Sequence, residues 1–97
     1  MLSRNDFLEM AKNKMKRWNS DIDVLEHRIQ HYHYKEISKA NYEQILSNIR
    51  QKQTEAINKI NEIKSEGEEH WHSLNEQADR LMNALDKSIK RFKSKIK

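Results

Sequence analysis

His33-Tyr34-Lys35-Glu36-Ile37-Ser38-Lys39-Ala40-Asn41 is the stretch on which the architecture of this chain turns. It holds neither glycine nor proline, and most of its residues are neutral or favourable in a helix, so local propensity carries a helix straight through it. The apolar pattern is nevertheless interrupted there. Before it, Leu8, Ala11, Met15, Trp18, Ile22, Leu25, Ile29 and Tyr32 alternate steps of three and four, as a heptad seam does. Extending that register lands on Glu36 and Lys39. After it, a second stripe runs from Tyr42 through Ile45, Ile49, Gln53, Ala56, Ile60, Ile63, Gly67, Trp71, Leu74, Ala78, Leu81, Leu85, Ile89 and Phe92 to Ile96, at a mean step of 3.6 residues, the period of a straight helix.

Two all-α architectures follow. In the first, helix runs over about 4–64 with an irregular stretch at 33–41, the chain breaks at about 65–68, and a second helix covers about 69–96. The long arm then measures roughly 90 Å at 1.5 Å per residue. It outruns its partner, so this long helical hairpin or coiled coil predicts homo-oligomeric packing. In the alternative, residues 33–41 bend and three helices of about thirty residues form a spectrin-like bundle. Composition favours the first: apolar residues make up 35% of the 97, against about 45–50% in ordinary globular chains, which argues against a deep private core. Either way, 1–97 reads as a single helical domain.

The helix ends carry signals of their own. Ser3-Arg4-Asn5-Asp6 supplies a cap for the first helix, with an acid at the third position after the serine. Ser65-Glu66-Gly67-Glu68 repeats that spacing around the only glycine, and predicts that a new helix starts there.

Charge is abundant and segregated. Charged residues are 35% of the chain, with a formal net charge of +4. From Glu68 to Asp86 there are five acids and one base, whereas from Lys87 to Lys97 there are six bases and no acid. That order complements the dipole of a helix running along the segment. No run approaches the ~18 apolar residues of a membrane span, and none has signal-peptide length. A soluble, unprocessed protein is expected, and the lack of cysteine suits the reducing cytoplasm.

The chemistry-bearing residues point away from catalysis. His27 and His31 share one helix face and are weak candidates for a metal site, but Arg28, Ile29 and Gln30 lie between them, without the glutamate of a zinc-peptidase helix. His33 falls ~200° around the helix from His31, and His70 and His72 are splayed likewise. No metal or other cofactor is therefore expected. Trp18 and Trp71 read as packing anchors, and Tyr32, Tyr34 and Tyr42 as fillers around the interruption. Asp21, Asp23 and Glu26 crowd one segment, yet carboxylates divide acid and base roles only where burial or a neighbour separates them. With no Gly-rich phosphate loop and no nucleophile in a recognisable setting, an enzyme is not expected.

The run Met15-Lys16-Arg17-Trp18-Asn19-Ser20-Asp21-Ile22-Asp23-Val24-Leu25-Glu26 resembles the Trp-Asn-Ala-Asp-Ile-Asp-x-Leu-Glu signature of small bacterial coiled-coil proteins labelled a stress-response family. Tyr42-Glu43-Gln44-Ile45, Arg50-Gln51-Lys52-Gln53-Thr54-Glu55-Ala56 and Trp71-His72-Ser73-Leu74 continue the likeness over most of the chain. It implies long helices and no catalytic residues. The chain departs from the pattern at His27, His31, Tyr32, His33 and Tyr34, where the family is rich in Ala and Lys, and its tail is more basic.

The expected function is helix-to-helix self-association by a non-enzymatic structural or interaction protein. The association face comprises Trp18, Ile22, Leu25, Ile29, Ile49, Ile60, Ile63, Trp71, Leu74, Leu81 and Leu85. The alternative is a peripheral lipid-surface protein: the C-terminal stripe is surrounded by bases, and Lys87, Lys90, Arg91, Phe92 and Ile96 would touch the membrane. Nucleic acid is a less favoured partner, because acids accompany most bases outside the tail and no base-reading motif is present.

Overall fold

A computed structural model describes residues 3–31, 35–66 and 68–96. The fold is all-α, with α1 over Arg4–His31, α2 over Glu36–Ser65, a single 3-10 turn at Glu68–His70 and α3 over Trp71–Lys95. The molecule measures 51 × 19 × 18 Å. A helix of 30 residues, the length of α2, is ~45 Å long, so the long axis is that of one helix rather than two in series.

The chain has thus taken the three-helix alternative. The helix expected over about 4–64 is two helices lying antiparallel, as contacts along the pair require. The Arg4 guanidinium donates to the carbonyl of Ile63, Gln53 donates to Asn19 at 2.7 Å, and Arg50 pairs with Glu26 at 2.6 Å. α3 runs parallel to α1. Phe7 meets Trp71 edge-on at one end, with centroids 5.1 Å apart, and Arg28 donates to the carbonyl of Ile96 at the other. Part of the expected irregular stretch, His33 and Tyr34, lies outside the described residues, as does Tyr32. The described part shows Lys35 extended, at φ −60° and ψ 148°, with α2 starting at Glu36.

Burial explains why the helix does not continue. Interrupting a helix at a few residues of average propensity costs less than ~1 kcal/mol at each. Folding α1 back sets two apolar faces together with α3, and each large side chain so buried contributes about 1.5–3 kcal/mol. The resulting core includes Trp18, Ile22, Leu25, Ile29, Ile49, Ile63, Leu85 and Phe92, and no polar or charged side chain is buried among the described residues.

The stripes foretold most of this core, with shifts at the edges. Phe7 rather than Leu8 opens the buried face of α1, and Leu46 and Met82 are buried where Ile45 and Leu81 are only partly so. A helix in a three-helix bundle touches two neighbours, so its apolar face is wider than a two-helix seam and takes in flanking positions.

The helix ends divide between confirmation and correction. Ser3 caps α1, its Oγ accepting from the amide of Asp6 at 3.1 Å. Ser65, expected to open the next helix, instead donates its hydroxyl to the carbonyl of Glu62 and closes α2. Arg4 finishes that terminus by donating to the carbonyls of Ile63, Lys64 and Glu66 at 2.9–3.2 Å. A cation on the carbonyl end of a helix satisfies unpaired acceptors and opposes the dipole. Arg4→Ala is expected to lower stability by about 1 kcal/mol, whereas Arg4→Lys keeps part of the effect. Chemical denaturation of the two variants checks this, and equal stability of wild type and Arg4→Ala would exclude the capping role.

Candidate functional site

The residues expected to join separate chains lie inside one. Trp18, Ile22, Leu25, Ile29, Ile49, Ile60, Ile63, Trp71, Leu74 and Leu85 are all buried in the bundle's own core, and Leu81 is half-buried at its edge. A stripe reports that a face must be covered and not which chain covers it. The apolar residues of the expected membrane face share this fate. Phe92 and Ile96 are 1% and 0% exposed, while Lys87, Lys90 and Arg91 remain on the surface. In this closed bundle the C-terminal helix offers a bilayer its bases but not its apolar stripe.

The histidines and carboxylates separate in the same way. His27 and His31 are exposed on one face near the end of α1, with ring centroids 4.2 Å apart. Among the described residues no three His, Cys, Asp or Glu side chains gather as a metal site would need. His33 lies outside the described residues, and His70 and His72 are exposed. Of the clustered carboxylates, Asp21 pairs with Lys93 at 2.7 Å and Glu26 with Arg50, both tying helices together, while Asp23 is exposed. Tyr42, half-buried, rests near Phe92 with centroids 5.8 Å apart.

One polar contact was not legible in the spacing. The indole nitrogen of buried Trp18 donates to Asp86 Oδ1 at 2.7 Å, and Lys14 donates to Oδ2 of the same carboxylate at 2.7 Å. Asp86 follows core Leu85, so its backbone is fixed by packing and its carboxylate reaches the α1–α3 boundary. Two donors from α1 on one acceptor from α3 set the register of that parallel pair. Its one local sign is a lone acid immediately before the basic tail.

Among the grooves open along the described residues, two pair several apolar side chains with a border of three bases. The larger, about 510 Å³, runs between the first half of α1 and the last turns of α2; Leu8, Met15 and Ile60 form its apolar part, and Lys12, Lys16 and Lys64 border it. Leu8 and Met15 are seam residues seven apart that the bundle leaves half-buried. The second, about 200 Å³, lies between α2 and α3, with Ile45 and Phe92 on its floor and Lys52, Arg91 and Lys95 around it. No helix among the described residues is long and apolar enough to cross a membrane. Neither a family model nor a curated protein nor a solved structure matches the chain.

Proposed function

We propose that this protein is a non-enzymatic helical interaction module that self-associates weakly, the start of α3 in one copy lying along the α1–α2 groove of the next. The observation that carries this reading is the pair Leu8 and Met15, apolar seam residues left half-buried in an open groove. Charge supports the choice of a second copy. The groove is bordered by Lys12, Lys16 and Lys64, with Glu9 the acid among its lining residues, and the same chain displays exposed Glu69 in the turn before α3 and exposed Glu76 and Asp79 along the beginning of α3. Each copy carries both halves of the contact. The resemblance of the Trp18–Glu26 run to small bacterial coiled-coil stress-response proteins favours the same class of role. A cysteine-free chain also fits the cytoplasm as its setting.

The magnitudes make the association transient. Completing the burial of two half-covered side chains yields on the order of 1 kcal/mol each. Exposed ion pairs add about 0.2–1 kcal/mol apiece and weaken with salt. A total near 4 kcal/mol corresponds to a Kd of ~1 mM. Light scattering over a concentration series is expected to show a mass that rises with protein and falls with salt. Leu8→Glu combined with Met15→Glu is expected to hold the one-chain mass throughout with unchanged helicity. A wild-type mass fixed at one chain up to millimolar concentration would refute the reading.

A further inference from the structure

We propose that the end of the bundle where α1 finishes, α2 begins and α3 finishes docks on an anionic lipid bilayer, with Ile37 as the side chain that enters the interface. This goes beyond self-association and uses none of the groove residues Leu8, Met15 or Ile60.

The first observation is an inversion of the usual pattern. Ile37, in the first turn of α2, is 79% exposed, and Val24, at 44%, is the other large exposed hydrophobic among the described residues. Its neighbour Ser38 is the partly buried residue of that turn. A bundle end that served stability alone would place the isoleucine inward and the serine outward. Scattered exposed hydrophobics are ordinary, so Ile37 alone would carry nothing.

The second observation is the charge around it. Lys35 and Lys39 flank Ile37 and are exposed. The contact of Tyr42 with Phe92 and the bond from Arg28 to the Ile96 carbonyl bring the last turns of α3 to the same end. There Arg91 and Lys95 are exposed, and among the described residues no carboxylate lies within ion-pair distance of them, of Lys35 or of Lys39. Lys93 differs, being held by Asp21. The acids in the first turns of α2 are Glu36 and Glu43, fewer than the bases they face. Unpaired bases on a surface are drawn to anionic headgroups, and an adjacent apolar side chain anchors the contact. A nucleic acid would use the same bases but gain nothing from an isolated isoleucine, which is why the bilayer is the better match.

This docking keeps the bundle closed. Phe92 and Ile96 stay in the core, and the lipid meets only what already faces outward.

Flotation of the full chain with phosphatidylserine–phosphatidylcholine vesicles, beside vesicles of phosphatidylcholine alone, tests the proposal at moderate salt. The wild type is expected to float with the anionic vesicles and not with the neutral ones. Ile37→Ser is expected to bind about tenfold more weakly with an unchanged melting curve, because the residue supports no core. Arg91→Gln combined with Lys95→Gln is expected to weaken binding as well. Failure of the wild type to float would overturn the proposal, as would binding of Ile37→Ser equal to wild type. Amide exchange on the vesicles gives a third reading. Protection retained at Leu85, Ile89 and Phe92 supports docking of the closed end, and protection lost there would overturn it in favour of α3 opening onto the lipid. Tight binding to duplex nucleic acid that displaces the vesicles and ignores Ile37→Ser would also overturn it.

Discussion

Leu25→Glu is expected to leave the chain unfolded at 25 °C, with its helical circular dichroism lost and no cooperative melt. Leu25 is 0% exposed. Removing a buried leucine side chain costs about 2–5 kcal/mol. Glutamate adds a carboxylate at a place where no polar side chain is buried nearby to receive it, a penalty of several kcal/mol unless the group takes up a proton or the helix turns outward. Domains of this size hold about 5–15 kcal/mol in all. Leu81→Glu, on a half-buried edge position of α3, is expected to keep the fold. The pair of variants separates two meanings of an apolar stripe. If Leu25 belonged to a seam between copies, Leu25→Glu would give a folded single chain by sedimentation, and Leu25 would have no place in an intrachain core.

Asp86→Ala is expected to lower stability by about 2–3 kcal/mol, and Asp86→Asn by less than about 1 kcal/mol. The asymmetry follows from what each variant leaves behind. Alanine leaves the indole N–H of Trp18 without its acceptor in a side chain that is 1% exposed, and an orphaned buried donor costs about 1–3 kcal/mol. Asparagine keeps an oxygen for that donor and gives up mainly the ion pair with Lys14, whose partners are 22% and 37% exposed and therefore screened by water. For a chain of this length each kcal/mol moves the Tm by about 4–8 °C. Asp86→Ala should accordingly melt at least ~8 °C below wild type, with Asp86→Asn close to it. Equal losses in both variants would mean that the charge on Lys14, and not the indole, is what Asp86 serves.

The core and the closed helix ends differ in how far they could be read from the chain. Ser3 caps α1 as its spacing to Asp6 announced, because a capping bond joins residues adjacent in sequence. The Ser65–Glu68 spacing announced a helix start by the same rule, yet the Ser65 hydroxyl bonds back to Glu62. Two local partners compete for one hydroxyl there, and the geometry of the Ser65–Glu66 turn chooses between them. The bond between Trp18 and Asp86 had no local signature, since its partners stand 68 residues apart. The exposure of Ile37 was equally invisible, because it depends on which way the first turn of α2 faces in the assembled bundle.

The residues by themselves determined that the chain is helical and which faces are apolar. Both follow from the scarcity of Gly and Pro and from steps of three and four, which act within a few turns of one helix. Tertiary structure decided that Lys35 stands extended and that α1 and α2 are separate antiparallel helices. It also decided that the stripes meet one another within the chain, in one shared core. Local propensity differs by less than ~1 kcal/mol per residue across Lys35–Asn41, too little to choose between bending and continuing. Burial of Trp18, Leu25, Ile49, Ile63 and Leu85 against one another is worth several times that, and exists only once distant segments meet.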